Sequence, residues 1–534
     1  MKTISKFFAI AMAASLTLTA CEEMLDLQPE GATKTNALKQ DAYEKKPENA
    51  VADLNAIYAQ MISLYAGLGS SNARHCDFGI ASCMMLIESE GQDWIGPNTG
   101  YNWFALSDFY ARNYNSAANL QVWNTYYKTI KACNDLIGTI DPATEVAMLR
   151  AYLGQALAVR AYCYTTMAQL YQYTYSATTK DLPCVPIVKD NMTAEEQLVG
   201  PRNTVQEVYD FVMNDLNNAI SALEGYERPN KSAVNQAVAY GLRARANMLL
   251  GHYAEAAQDA AAAIQLSGAK SYTKAEVSRP TFCHAEANSV IWANIIVESN
   301  DVVKTSIINW PSHMSSLYID GYTGVGCYRS ISSELYNKIP ATDVRKGWWL
   351  DENLASPLLE GDNNPYSVWD KYAATPYVNV KFGVPNDNMS NLVADADWTL
   401  MRYEEMLLVQ AEALARDGQE GEAKALLEGW VRENRNPEYS VGMSILEDIW
   451  MQRRIELWGE GFAWFDLNRL EKPIVRNYEG TNWPEAWVYE DIPASHPCRI
   501  WTIPDREIQN NPGIGEKDNN PVGEPEFPKP NPEQ

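Results

Sequence analysis

The chain has 534 residues, of which 46% are hydrophobic and 21% charged, and its formal net charge is −25. This acidic balance excludes the basic footprint that nucleic-acid binding needs, and it disfavours spreading on an anionic membrane face. Aromatic residues are biased toward Trp (16) and Tyr (30) over Phe (11). Trp and Tyr offer flat apolar faces with polar edges, which match sugar rings, although the same bias suits any large protein with a polar surface.

The N-terminus has the pattern of a secretory signal. Two lysines precede an apolar run that is too short to span a bilayer, and small residues then lead to Cys21. This stretch resembles a bacterial lipobox, in which the cysteine is acylated; the alternative is an ordinary signal peptide with a chance cysteine. Glu22 and Glu23 resemble the tag that exports some lipoproteins to the cell surface. We predict a signal peptide over residues 1–20 and a lipidated tether over residues 21–45.

Eight further cysteines follow, and an even number outside the cytoplasm permits disulfides. Their spacing is scattered, and Cys133 and Cys163 lie in helical patterns as small hydrophobic residues would. The chain has no Cys-x-x-Cys pair, and its five histidines lack zinc-ligand spacing. We therefore interpret the cysteines as structural and expect neither a metal nor a cofactor.

Apolar residues recur at helical spacing along much of the chain. Helices are predicted over residues 47–65, 122–137 and 149–171, and from Thr204 onward. Glu207, three residues after Thr204, completes a capping box. A polar, Gly-rich stretch over residues 67–115 interrupts this pattern. One aromatic stripe is assigned to the core: Trp123, Tyr126 and Tyr127.

Two later segments carry a degenerate tetratricopeptide-like signature. Tyr253 and a series of alanines follow the turn at Gly251, and Ala423 follows Gly418 in the second copy. Small residues at these offsets allow two helices of a hairpin to approach closely. Any alanine-rich helical hairpin remains the alternative, and the two copies do not form a regular array.

Residues 271–397 break the helical pattern, with Pro, Gly, Asn and Trp and short β-type runs such as residues 290–297. A tract this long is typical of a functional insertion. We predict one domain over residues 46–534, with an N-terminal helical part (46–270), this loop-rich insertion on the ligand side, and a C-terminal helical part and tail (398–534).

Opposite charges cluster in the C-terminal part at helical or near-helical spacing. We predict a structural ion-pair network of Arg453, Arg454, Glu456, Glu460, Asp466 and Arg469. Arginine suits buried pairing because its planar fork donates two hydrogen bonds to one carboxylate. The alternative is a glycosidase pair such as Glu456 with Asp466, which needs one raised pKa and an open cleft. Nearby arginines would lower both pKa values, so we favour the structural interpretation and predict no catalytic residue.

Four segments in the same region are the most specific in the chain. They are RYEEMLLVQAEA at residues 402–413, RRIELWGEG at 453–461, DLNR at 466–469 and IPDREI at 503–508. With the lipobox and the long helix before residue 171, they resemble the SusD/RagB family of outer-membrane nutrient-binding lipoproteins over nearly the whole chain. Gln452 departs from the Glu that the family often has there. The resemblance implies a mostly α, SusD-like fold with tetratricopeptide-like helical hairpins and a large, irregular, loop-rich insertion with short strands.

The resemblance also implies a function. Such a protein would bind oligosaccharide at the cell surface and deliver it to a SusC-like TonB-dependent outer-membrane transporter, without breaking a bond and hence without being an enzyme. It would contact the membrane through its lipid anchor alone. A peptide-binding, RagB-like lid of such a transporter is the first alternative. Two further alternatives are a surface glycosidase and a tetratricopeptide-style scaffold for protein partners.

Two stretches are candidates for the ligand site, because exposed aromatic residues among Gly and Asn often contact ligands. The first covers residues 88–104, the region in which the family's ligand residues cluster, and the second covers residues 310–328 and Arg329 just beyond. The candidates are Asp93, Trp94, Asn98, Tyr101, Asn102, Trp103, Trp310, Tyr318, Tyr322 and Arg329. For each aromatic residue, packing within its loop is the alternative.

Overall fold

Helices dominate the computed structural model, which describes residues 36–70, 74–104, 107–110, 112–390, 393–442 and 444–528. The predicted signal peptide, Cys21 and the first part of the predicted tether lie outside these residues and stay predictions. Within the described ranges the helices are α1 (Asn36–Lys45), α2 (Val51–Met61), α3 (Ile80–Glu88), α4 (Ala117–Ile137), α5 (Ala147–Tyr171), α6 (Ala194–Gln197), α7 (Val205–Ala222), α8 (Gln236–Leu250), α9 (Tyr253–Ser267), α10 (Asp301–Lys304), α11 (Trp310–Met314), α12 (Ser333–Lys338), α13 (Tyr403–Arg416), α14 (Glu420–Asn434), α15 (Ile445–Glu456), α16 (Ala463–Arg469) and α17 (Asp505–Asn510).

The long helices begin and end where local chemistry dictates. At the start of α7, Thr204 Oγ1 accepts a hydrogen bond from Glu207 N at 3.2 Å, and Glu207 Oε2 accepts one from Thr204 N at 2.8 Å. The predicted capping box is thereby confirmed. α8 ends at Leu250 and is capped by Gly251, whose φ of 76° lies in the left-handed region that favours glycine.

Helix α3 was not predicted, because it lies within the stretch over residues 67–115 that interrupts the helical pattern. All nine of its residues, Ile80–Glu88, are buried. A helix that is buried on every side has no polar face, so it lacks the periodicity from which amphipathic helices are recognised.

Helices pair into stacked hairpins. α8 packs on α9, α13 packs on α14, and α9 packs on α13, so that the two predicted tetratricopeptide-like hairpins lie against each other. Ala256, Ala260 and Ala263 are fully buried on the inner side of α9, where small side chains permit the close approach. The prediction of a mostly α fold with helical hairpins is confirmed.

Two short antiparallel sheets tie the loop-rich insertion to the helices. β1 (Trp94–Ile95) pairs with β3 (Ser330–Ile331), with Trp94 opposite Ile331. β2 (Val290–Asn294) pairs with β4 (Trp398–Arg402), with Val290 opposite Arg402. The first sheet brings the two predicted ligand stretches side by side, although they are more than 200 residues apart in the sequence.

The core accounts for the cysteines and for the aromatic stripe. The eight cysteines of the described residues are all free and buried, which agrees with a structural role. Trp123 and Tyr126 are buried and Tyr127 packs partly buried against them, as predicted. None of the described helices combines the length and the apolar character that crossing a membrane requires.

Candidate functional site

A cluster of buried charges fills the junction of β4 with helices α13 and α15. Arg402 Nε donates to Glu460 Oε2 at 2.8 Å, and its Nη1 donates to carboxylate oxygens of Glu404 and Glu456, each at 2.9 Å. Arg435 Nη2 donates to Glu456 Oε1 at 2.8 Å, and Lys381 Nζ donates to Glu460 Oε1 at 2.6 Å. We call this the Arg402 cluster, and in it every cation lies against at least one carboxylate.

The other predicted charges form two further groups. Arg453 and Arg469 both pair with Asp466, through nitrogen–oxygen distances of 2.7 and 2.8 Å, and Arg469 also pairs with Glu412 at 2.6 Å. Arg454 pairs with Asp93 at 2.7 Å. All six residues of the predicted network are therefore in ion pairs, but in three groups rather than one. Several further members of these ion-pair groups were not predicted, because they are distant along the chain: Arg345, Lys381, Arg402, Glu404, Glu412 and Arg435.

The carboxylates of these groups are held in their charged form. Burial raises the pKa of Glu456, but Arg435, Arg402 and Arg345 outweigh it and hold that pKa well below its usual range. Arginines likewise overcome the effect of burial on Glu412 and lower its pKa to about 2. A general acid needs a raised pKa, so these charges have the properties of a structural cluster.

Several ligand candidates are buried, and the expectation that they are exposed was wrong. Trp94 is 1% exposed and Trp310 is 3% exposed. Trp310 Nε1 donates to Ala396 O at 2.8 Å, which satisfies the indole inside the core. Tyr318 is buried as well, and Asp93 is committed to Arg454. These side chains pack beneath the loops, because a large aromatic ring gains more from burial than the polar loop composition suggests.

The remaining aromatic candidates form one surface cluster, which we call the aromatic patch. It consists of Arg74, His75, Tyr101, Trp103 and Tyr322. Ring centroids are 4.7 Å apart for His75 and Trp103, 5.9 Å apart for His75 and Tyr322, and 6.4 Å apart for Tyr101 and Tyr322. Tyr101 is 57% exposed, Trp103, His75 and Arg74 are half-buried, and Tyr322 is buried at the base of the cluster. The patch therefore joins residues from both predicted stretches and presents accessible rings.

Neighbouring groups fix the rings of the patch in place. Tyr322 is hydrogen-bonded to His75 Nδ1 and stacks on His313, with centroids 4.5 Å apart and an interplanar angle of 15°. Tyr322 N donates to Ser312 Oγ at 3.2 Å. This close approach needs Gly321, because a Cβ there would lie 2.5 Å from Ser312 Cα.

The loop that carries Tyr101 and Trp103 is held by one asparagine. Asn102 is buried, its Nδ2 donates to Pro97 O at 3.0 Å, and its Oδ1 accepts from Phe104 N at 3.2 Å. Asn102 therefore shapes the loop, whereas Asn98 is exposed on the same loop and free to face a ligand. Arg74 and His75 were not among the predicted ligand residues, because no motif marks them.

Arg329 lies beneath the patch and is fully buried. Its guanidinium carbon is 4.8 Å from the ring centroid of Trp94. Across the described ranges of the chain, no group of three or more His, Cys, Asp or Glu side chains could hold a metal ion. The candidate site is thus built from aromatic rings, amides and cations.

Two protein-family models match the chain. The one described as "SusD family" matches residues 341–521, and the one described as "Starch-binding associating with outer membrane" matches residues 38–248. A SusD-like protein of Formosa agariphila is 25% identical over 506 residues, which cover 89% of this chain and 92% of the relative. The two models match segments in both helical parts, and the alignment with the relative covers most of the chain.

Solved structures share the fold. A SusD-like carbohydrate binding protein from Bacteroides vulgatus has a TM-score of 0.71 at 23% identity, and the alignment covers 91% of this chain and 98% of that one. Surface glycan-binding protein A from Bacteroides uniformis has a TM-score of 0.62 at 19% identity, with 88% and 99% covered. At these identities the likeness establishes the architecture.

Proposed function

The chain belongs to the SusD/RagB family, and we propose that it is a cell-surface lipoprotein that binds an oligosaccharide and delivers it to a SusC-like TonB-dependent outer-membrane transporter. The aromatic patch is the observation that carries the binding part of this proposal. The descriptions of the related proteins, as carbohydrate-binding or surface glycan-binding, support the same class of ligand.

The patch has the chemistry that sugar binding needs. The accessible rings of Tyr101 and Trp103 offer flat faces against which the C–H face of a pyranose ring can stack. The exposed amide of Asn98 and the guanidinium of Arg74 can hydrogen-bond to hydroxyl groups at the edge of the sugar. Each such bond replaces one that the hydroxyl already makes in water, so the affinity for a single sugar unit is modest.

Capture without chemistry fits the state of the buried carboxylates. Glu456 and Asp466, the pair that a glycosidase alternative would use, are buried and bound to arginines. Neither lies in the patch. We therefore propose that ligand binding and transfer to a transporter are the whole activity, with Cys21 as the lipid attachment site that keeps the protein at the outer membrane.

Binding of glycans to the patch is tested with two variants and a control. Trp103→Ala and Tyr101→Ala should each weaken binding of the glycan recognised in a calorimetric panel by about tenfold, since truncating a central aromatic contact costs about 1–2 kcal/mol. Tyr114→Ala is the matched control, because Tyr114 is 43% exposed and lies beside α17. Peptides form the comparison set.

Two results would contradict the proposal. Binding of peptides without binding of any glycan favours the peptide-binding alternative. Release of shorter sugars from a bound glycan by the purified chain would establish an enzyme.

A further inference from the structure

Arg329 differs from the other fully buried arginines of the described residues because its guanidinium donates to no oxygen atom. Four of the others are each in an ion pair: Arg112 with Glu90, Arg345 with Asp343 and Glu456, Arg402 with Glu404, Glu456 and Glu460, and Arg435 with Glu404 and Glu456. Arg476 and Arg499 also lack a carboxylate partner, but each donates to backbone carbonyl oxygens. Burying a charge without a partner is costly. The contacts of Arg329 therefore need a reason other than stability.

The surroundings of Arg329 compensate its charge only in part. The guanidinium carbon lies 4.8 Å from the centroid of Trp94 and 5.8 Å from that of Phe104, and Nη1 donates to Cys327 Sγ at 3.6 Å. Nε and Nη2 have no hydrogen-bond partner among the described residues. Aromatic faces and a thiol attract a cation more weakly than a carboxylate does, so most of the positive field of Arg329 stays uncancelled.

This field acts on the aromatic patch. Cys327 N, two residues from Arg329, donates to the carbonyl oxygen of Tyr322 at 3.0 Å. The ring of Phe104 lies near both Arg329 and His313, with the Phe104 and His313 centroids 4.9 Å apart, and His313 stacks on Tyr322. Burial first, and then Arg329, hold the pKa of His313 well below its usual range, so His313 is neutral in this layer.

A second cation lies at the surface of the patch. The guanidinium carbon of Arg74 is 5.9 Å from the centroid of Trp103, and Arg74 has no carboxylate within ion-pair distance in the described part of the chain. The neighbouring acid, Asp77, accepts hydrogen bonds from Gly67 N at 3.2 Å and Leu68 N at 2.9 Å. Asp77 is thus hydrogen-bonded to backbone amides and forms no ion pair with Arg74, whose guanidinium stays available to a ligand.

Given the glycan-binding function proposed above, we propose that the patch selects glycans that carry an acidic group on the sugar ring, a carboxylate or a sulfate ester. Arg74 contacts the acidic group, because two oxygens of a carboxylate or of a sulfate ester match the planar fork of a guanidinium. Arg329 contributes positive potential from below. A chain with a net charge of −25 repels anionic polymers in general. The guanidinium of Arg74 over Trp103, with that of Arg329 in the buried layer below, gives a local exception to that repulsion.

The test compares pairs of glycans that differ only in charge. Oligosaccharides of polygalacturonate and their methyl esters probe the carboxylate, and chondroitin sulfate with its desulfated form probes the sulfate. The chain after Cys21 should bind the charged member of at least one pair about tenfold more tightly, and raising the salt concentration should reduce that preference. The pair that shows it identifies which acidic group is recognised.

Variants assign the preference to the arginines. Arg74→Gln should weaken binding of the charged member about tenfold more than binding of the neutral member, which abolishes the preference. Arg150→Gln, at an exposed arginine near the start of α5, should leave both unchanged. Arg329→Lys keeps a charge beneath the patch and should retain part of the preference, while Arg329→Gln should remove it, with circular dichroism reporting whether each variant is folded.

The failure of this inference differs from the failure of the proposed function. Equal binding of charged and neutral members, weakened in both by Tyr101→Ala, overturns the selection of acidic glycans and leaves glycan capture standing. A preference that survives Arg74→Gln places the acidic group elsewhere and also overturns the inference. Absence of binding to every glycan of the panel overturns both.

Discussion

The Arg402 cluster contains a fully buried guanidinium and so does the layer beneath the aromatic patch, yet the surroundings of the two are opposite. Arg402 contacts three carboxylates, whereas Arg329 contacts two aromatic rings and a thiol. In the first arrangement the ion pairs offset the cost of removing the charges from water, and they join β4 to α13 and α15. The second leaves a positive charge without an oxygen acceptor in the layer beneath the aromatic patch. Complete pairing thus marks a structural role, and a buried cation without an oxygen acceptor beneath an accessible surface marks a candidate for ligand binding.

The largest effect is expected from breaking the Arg402 cluster. Glu456→Gln keeps the shape of the side chain but removes the negative charge that faces Arg402, Arg435 and Arg345. Leaving buried cations under-compensated should lower the free energy of unfolding by about 3–5 kcal/mol, measured by chemical denaturation. Glu433→Gln, at an exposed residue of α14, is the control and should change it by less than about 0.5 kcal/mol. Equal effects of the two would mean that the cluster does not stabilise the fold.

Acid should weaken a second group of buried ion pairs, the one that contains Glu412, Asp466 and Arg469. The pKa of Glu412 is depressed to about 2 in the folded chain from an ordinary value of 4.5, so its ion pair with Arg469 stabilises the fold fully above about pH 5. That contribution, about 3 kcal/mol, is lost as the pH falls from about 5 toward 2. Glu412→Gln should reduce the loss of the free energy of unfolding between about pH 5 and about pH 2, measured by chemical denaturation at a series of pH values. An unchanged loss would mean that Glu412 does not cause it.

Two other carboxyls act in the opposite direction. Burial raises the pKa of Glu88 to about 8 and, although Arg112 acts in the opposite direction, raises that of Glu90 to about 7, so both side chains hold a proton more tightly in the folded chain than in the unfolded one. Their contribution to the free energy of unfolding is fully present below about pH 4.5, and it is lost as the pH rises through the folded-state pKa values of about 7 and 8. Stability should therefore pass through a maximum at mildly acidic pH and decline on both sides.

The smallest effect on stability is expected at the patch. Tyr101 is mostly exposed, so Tyr101→Ala should change the free energy of unfolding by less than about 0.5 kcal/mol while it weakens glycan binding. Thermal unfolding of the unliganded variant checks this. A large destabilisation would mean that Tyr101 is a packing residue and would remove it from the site.

Much of the helical framework was predictable because it depends on local chemistry. Helical periodicity located α4 and α5, and the Thr204–Glu207 capping box gave the start of α7. The small residues after Gly251 gave the hairpin of α8 and α9. Helix α3 escaped because its complete burial removes the periodic signal.

The candidate site was only partly predictable. Tyr101, Trp103 and Tyr322 were named from the composition of their loops, and the structure brings them together. Trp94 and Trp310 were named on the same grounds but lie in the core. Loop composition is the same for an exposed ring and a buried one, because burial depends on what packs over the ring.

The sequence by itself determined the helices, the hairpins and the presence of paired charges near the C-terminus, because helix periodicity, capping and charge spacing act over a few residues. The tertiary structure decided which charges meet and which stay alone. Glu456 pairs with Arg345, which is 111 residues away in the sequence, and Tyr322 hydrogen-bonds to His75, which is 247 residues away. Such contacts depend on how the two short sheets and the stacked hairpins place distant segments, and no local pattern encodes that placement.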